Sequence, residues 1–194
     1  MKRIVIFASG GGSNAQKIME HFKEHLAIEI GLIISNNENA GVFKYAKNFQ
    51  VPSILLSKFQ IKNPSEIIEL LNENNIDIII LAGYLKKIPN ELIKAFPNKI
   101  LNIHPALLPK YGGKGLYGLN VHKAVKANED LISGPTIHLV NEEYDKGQIL
   151  FQKEDQLLNT DLPEEIAAKV LKVEHAEYAK VIEGYINQHY KRLY

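Results

Sequence analysis

Residues 4–14 read Ile4-Val5-Ile6-Phe7-Ala8-Ser9-Gly10-Gly11-Gly12-Ser13-Asn14: an apolar run, three glycines, and the first residues of a helical pattern. An unbroken apolar run closed by glycine is the signature of a strand buried on both faces. Beyond it, Ala15, Ile18, Met19 and Phe22 recur at helical spacing between Asn14 and His25. A buried strand that enters a helix through a glycine loop opens a βα unit, and the chain repeats that rhythm. Strands are expected at Ile28–Ile34, Ser53–Leu56, Ile76–Leu81 and Lys99–Ile103, alternating with helices at Val42–Phe49, Pro64–Glu73 and Pro89–Phe96. Right-handed crossovers then give an α/β fold: a doubly wound, mostly parallel Rossmann-like sheet with helices on both faces. After His104 the pattern changes. A glycine-rich loop spans Pro109 to Gly118, and a helix is expected at Leu119–Ala127. Two strands follow at Ile132–Val140 and Ile149–Leu157, then a long last helix from Pro163 towards Tyr190.

Composition narrows the class. The chain has 194 residues, 45% of them apolar, enough for one domain with a substantial core. Its formal net charge is +1, so no strong field draws it to nucleic acid or to a membrane surface. There is no cysteine, which removes disulfides, thiolate metal sites and a thiol nucleophile. No run reaches the ~20 apolar residues of a membrane span. Lys2 and Arg3 precede an apolar run as in a secretory leader, but the run is too short and the glycines follow at once. The cytoplasm is the default compartment. Nothing in these patterns sets an oligomeric state.

The glycine loop reads as an anion cradle, because glycines let a ligand approach the backbone and helix-start N–H groups favour negative charge. Gly10, Gly12 and Ala15 also fit the dinucleotide pattern G-x-G-x-x-A. The second strand, however, ends at Ser35-Asn36-Asn37. It carries neither the acid that would take a ribose 2′-OH nor a base for a 2′-phosphate. The Gly-Lys-Ser/Thr ending of a nucleoside-triphosphate loop is absent too. A phosphate monoester fits better, with a ligand-free tight turn as the alternative.

Leu101-Asn102-Ile103-His104-Pro105 puts an amide and an imidazole at positions i and i+2 of a strand end, on one face. An N–H donor beside a titratable ring is what attack at a carbonyl needs. The carboxyl end of a strand is also where open α/β sheets place ligands. Asp145, in Tyr144-Asp145-Lys146-Gly147, reads locally as a turn residue in an acidic run. The functional alternative has it fold back onto His104, where a carboxylate would fix the ring's tautomer and favour its protonated form. His138 reads as a strand residue facing a polar side, His122 as a helix residue, and His21, His25 and His189 as surface residues. No histidine pair has metal-ligand spacing, and no metal is expected.

Several of these segments, in order, resemble the phosphoribosylglycinamide formyltransferase family. They are Ser9 to Asn14, Leu81-Ala82-Gly83-Tyr84-Leu85, Asn102-Ile103-His104-Pro105 with Leu107 to Tyr111, Gly134-Pro135-Thr136-Ile137-His138 with Val140 to Gly147, and Val173-Glu174-His175. The resemblance covers essentially the whole chain. It implies a single formyltransferase domain, residues 1–103 holding the phosphate of glycinamide ribonucleotide (GAR) and residues 104–194 the folate and the catalytic groups. It implies transfer of a formyl group from the co-substrate 10-formyltetrahydrofolate to the amine of GAR, in purine biosynthesis, without a metal or a covalent enzyme intermediate. Asn102, His104 and Asp145 then match the catalytic trio. Gly12, Ser13 and Asn14, with Leu171, Lys172, Val173 and Glu174, match the GAR-binding segments. Lys62, Leu85, Lys86, Lys87, Ile88, Asn102, Asn141, Glu142, Glu143, Tyr144 and Asp145 match the folate-binding ones. In the implied mechanism Asn102 donates to the oxyanion with protonated His104 as a second stabiliser, and the proton passes to the leaving folate nitrogen through His104, which Asp145 keeps partly protonated, or through a water.

Two departures stand out. Gly112 to Asn120 is longer than the family's commoner P-G-x-x-[AST]-H run, and a folate-contacting arginine is replaced by Lys62. Among rivals, methionyl-tRNA formyltransferase is expected to need an extension beyond Tyr194, and formyltetrahydrofolate hydrolase a domain ahead of Arg3. A nucleotide-binding module without enzymatic activity, or one that binds NAD(P), is the rival from another class.

Overall fold

Isoleucine and valine dominate the expected strands because branched side chains pack well on a pleated surface. In the structure, a computed structural model describing residues 1–189, they do form strands. The first half runs β1 (Lys2–Phe7), α1 (Ser13–Phe22), β2 (Ile28–Ser35), α2 (Val42–Asn48), β3 (Ser53–Leu55), α3 (Lys58–Lys62), α4 (Pro64–Glu73), β4 (Ile78–Leu81), α5 (Asn90–Ala95) and β5 (Ile100–His104). The second runs α6 (Leu119–Ala127), β6 (Ile132–Ser133), β7 (Thr136–Leu139), β8 (Ile149–Gln152), β9 (Asp155–Gln156) and α7 (Pro163–His189). Tyr190, the end expected for the last helix, lies outside the described residues.

The larger sheet has the order β3-β2-β1-β4-β5-β7-β8. Strand β1 pairs in parallel with β2 and β4, β2 with β3, and β4 with β5, while β7 and β8 are antiparallel. Strands β6 and β9 form a separate antiparallel pair. The mostly parallel α/β expectation holds.

The chain divides into two compact units, residues 1–102 with 139–143, and residues 103–138 with 144 onward. In the first, Phe7, Leu32, Leu71, Ile79, Leu92 and Phe96 belong to one apolar core. Its strands end level: Phe7 lies opposite Leu81, and Leu81 opposite Asn102. The loops after β1 and β4 and the side chain of Asn102 therefore share the carboxyl edge of the sheet. In the second unit Val125 of α6 packs with Ile166 and Val170 of α7, with Leu157 and Tyr111 against them.

Three elements depart from expectation, one of them the run Ile149–Leu157, which breaks into β8 in the larger sheet and β9 in the smaller one. The short helix α3 starts on a capping box: Gln60 N–H donates to the Ser57 hydroxyl at 3.2 Å, and Ser57 N–H to Gln60 Oε1 at 3.0 Å. The run expected as one strand from Ile132 to Val140 breaks into β6 and β7 at Gly134-Pro135. Proline offers no ladder N–H, and a Cβ at Gly134 would stand 1.8 Å from the Lys153 carbonyl oxygen. Among the described residues no helix is long and apolar enough to cross a membrane.

Leu71 is fully buried and Leu26 is 95% exposed. Leu71→Ala is expected to cost about 3 kcal/mol of unfolding free energy, and Leu26→Ala less than about 0.5 kcal/mol. Urea denaturation of the two variants checks both values.

Candidate active site

His104 ends β5 and is buried. Its Nε2 lies 2.8 Å from the Tyr111 carbonyl oxygen. A carbonyl only accepts, so Nε2 carries the proton. Its Nδ1 lies 3.7 Å from Asp145 Oδ2, too long for a direct hydrogen bond. Asp145 has φ 53°, the left-handed turn conformation that aspartate tolerates. It is thus a turn residue, as its local sequence reads, and the turn carries its carboxylate to within 3.7 Å of the His104 ring. Gly113 N–H donates to the same Oδ2 at 2.8 Å.

The other carboxylate oxygen of Asp145 lies 3.7 Å from His138 Nε2. His138 is 2% exposed, which corrects its expected place on a polar face. All four residues of β7 are buried, and its pairing with β8 shifts register between Ile137 and His138, so no polar, exposed face alternates along it. Thr136 on the same strand fixes the turn after His104. Its hydroxyl donates to Ala106 O at 2.6 Å and accepts from Leu108 N–H at 3.0 Å and Gln152 Nε2 at 2.8 Å.

Asn102 precedes His104 by two positions on β5 and is half-buried. The glycine loop after β1 is held by Ser9. The Ser9 N–H donates to Gly83 O at 3.0 Å, and its hydroxyl donates to Asn36 Oδ1 at 2.6 Å and accepts from Leu85 N–H at 3.0 Å. Gly12 has φ 81°, and a Cβ there would stand 2.7 Å from Val42 Cα, whereas Gly10 and Gly11 have open space where a side chain would begin. The loop thus turns tightly on one side and leaves its backbone approachable on the other. Helix α1 starts at Ser13 without a side-chain cap, as an anion-binding helix start would.

The remaining expected residues are scattered in kind. Lys62 is exposed at the end of α3; Leu85, Lys86 and Lys87 are exposed in the loop after β4, and Ile88 is buried. Asn141, Glu142, Glu143 and Tyr144 are exposed ahead of Asp145. On α7, Leu171 and Lys172 are exposed, while Val173 and Glu174 are buried. The nearby Tyr178 hydroxyl is pushed well above its ordinary range by burial and by the charge of Glu174. Among the described residues no group of three or more His, Asp or Glu side chains is arranged to hold a metal ion.

His122, which the sequence places on a helix and nothing more, is drawn into the second unit. It is 4% exposed on α6, and its Nδ1 has no hydrogen-bond partner. Burial, and then the charge of His104, pull its pKa down to about 4. The sequence signal for a covered ring was present, since Val121 and Val125 flank His122 at core-facing spacing.

A family model described as formyl transferase matches residues 2–182. The chain is 46% identical over 187 residues to the chloroplastic phosphoribosylglycinamide formyltransferase of Arabidopsis thaliana, covering 93% of this chain and 64% of that protein. It thus spans less than two thirds of that plant relative's length. It is 34% identical to the phosphoribosylglycinamide formyltransferase of Bacillus subtilis (strain 168), covering 94% of this chain and 93% of that one. The crystal structure of phosphoribosylglycinamide formyltransferase from Bacillus halodurans superposes with a TM-score of 0.88 at 30% identity, over 98% of this chain and all of that one.

The buried neutral ring of His122 makes stability depend on pH. Its folded pKa lies below the ordinary 6.5, so the unfolded chain takes up the proton first as pH falls. Its contribution is full above pH ~6.5 and is lost progressively towards pH ~4. His122→Leu should lose less stability than the wild type between those two pH values, as read from urea unfolding at each.

Proposed function

The chain belongs to the formyl transferase family, and from that premise we propose that it transfers a formyl group from 10-formyltetrahydrofolate to the amine of glycinamide ribonucleotide. The observation that carries the reading is the buried His104–Asp145 pair at the end of β5, with Asn102 two positions before it on the same strand. The folate supplies the formyl carbon. When the amine attacks that carbon, an oxyanion and an ammonium form together. Asn102 donates its side-chain N–H to the oxyanion, a contribution worth roughly 3–4 kcal/mol for one such donor.

His104 accepts the ammonium proton and returns one to the folate nitrogen that leaves, so no net proton is gained or lost. Nε2 is committed to the Tyr111 carbonyl, so Nδ1, beside Asp145, is the atom that exchanges. Asp145 stabilises the ring in its charged form and, held by Gly113 N–H, keeps its own position. The glycine loop and the start of α1, through Gly12, Ser13 and Asn14, anchor the GAR phosphate. Leu171 to Glu174 complete its binding, with Glu174 at the glycinamide or ribose end. Lys62, Leu85 to Ile88 and Asn141 to Asp145 take the folate, Lys62 as a point charge where an arginine would bind bidentately. A cytoplasmic location belongs to the same proposal; the Arabidopsis thaliana relative is named as a chloroplastic protein.

The test is an assay of purified protein with 10-formyltetrahydrofolate, with and without GAR. Folate deformylation that requires GAR supports the proposal, and equal formate release without GAR replaces it with a hydrolase. His104→Ala is expected to lower kcat by about 10²–10⁴-fold, while calorimetry still registers GAR binding. Turnover near wild type would remove His104 from the mechanism.

A further inference from the structure

The ring of His104 is fixed by a backbone carbonyl, and the residue that supplies it is itself held from outside. Tyr111 has φ 59°, a left-handed conformation that costs a non-glycine residue about 1 kcal/mol or more. Something must hold it there. The Tyr111 hydroxyl donates to Asp130 Oδ2 at 2.6 Å, and Lys110 Nζ donates to both Asp130 oxygens at 2.7 Å. Lys110 also lies 5.3 Å from the centroid of the Tyr111 ring. The chain of contacts therefore runs from Asp130 to the Tyr111 hydroxyl, through the Tyr111 backbone, to His104 Nε2.

We propose that Asp130 is a positioning residue for proton transfer: by anchoring Tyr111 it keeps the Tyr111 carbonyl on His104 Nε2 and so confines proton exchange to Nδ1, beside Asp145. Four observations on one short stretch support this. Tyr111 takes Nε2, Gly113 takes Asp145, Gly112 lies so close that a Cβ would stand 2.7 Å from Leu108 Cδ2 and 3.2 Å from Asp145 Cβ, and Tyr111 packs on the Val125 and Ile166 cluster. Residues 111–113 thus form a clasp across both members of the pair, and Asp130 is its outer anchor. A clasp that slips lets the ring turn and offer Nε2 as well, and a small displacement of a reacting group costs rate more than binding. The inference rests on the reading of His104 as the proton-handling group.

The decisive measurement is nitrogen-15 NMR of His104, which needs no turnover. In the wild type the Nε2 proton is hydrogen-bonded and slow to exchange. Tyr111→Phe keeps the ring and its packing but removes the hydroxyl, and Asp130→Ala removes the anchor. Both are expected to lose the slow Nε2 proton and to lower kcat about tenfold, with KM for GAR nearly unchanged. Asp130→Asn keeps an acceptor for the hydroxyl and should recover most of the signal and the rate. Retention of the slow proton and of wild-type kcat in folded Tyr111→Phe and Asp130→Ala would overturn the proposal, as would a rise in KM at constant kcat. If the wild type transfers no formyl group, the functional reading fails while the NMR comparison still decides the role of Asp130.

Discussion

One carboxylate organises the second unit. Asp145 is the meeting point of a backbone N–H from Gly113 and two buried imidazoles, His104 and His138. A buried carboxylate is costly unless donors or positive charge face it. Here the only short, direct bond among those three is from Gly113, and the two rings stand off at 3.7 Å. That spacing places both rings within reach of the carboxylate's charge without a direct hydrogen bond to either at the printed separation. The loop, the end of β5 and the end of β7 are all tied to this point, so their relative placement follows from satisfying one charge.

The first unit obeys a different constraint. Parallel strands buried on both faces must end together if their loops are to meet, and the pairing of Phe7, Leu81 and Asn102 achieves that. Ser9 then joins the loop after β1 to those after β2 and β4, through Asn36, Gly83 and Leu85. Its hydroxyl both donates and accepts, which is why a serine serves where an alanine would leave two partners unmet. The open backbone of Gly10 and Gly11 is a consequence of that fixation, since a loose glycine loop would have to be ordered before it could hold a ligand.

What the sequence made legible was whatever depends on periodicity or on a fixed offset. The Ile-rich strands, the glycine turn and the i, i+2 placement of Asn102 and His104 all follow from local geometry. Asp145 was legible as a turn, but its approach to His104 required knowing where β7 and β8 lead, which is a tertiary fact. His138 shows the same limit: alternation gives its side of the strand but not what covers that side. The capping box Ser57-x-x-Gln60 was legible in principle, yet the helix it starts is too short to show a period. The break at Gly134-Pro135 is written in two residues that were read as part of the family motif rather than as strand breakers.

The glycines of the segment after Tyr111 have different jobs. Gly112 is small because Leu108 and Asp145 leave no room for a Cβ. Gly113, Gly115 and Gly118 have open space, but their φ values of 105°, 91° and 54° lie where other residues are strained. The first glycine therefore serves proximity and the later ones serve direction, bringing the chain round to the start of α6 at Leu119. A loop composed this way is glycine-rich because its path is prescribed, not because it is slack. That path carries the chain from Gly113, whose N–H donates to Asp145, to His122, whose pKa is lowered first by burial and then by the charge of His104.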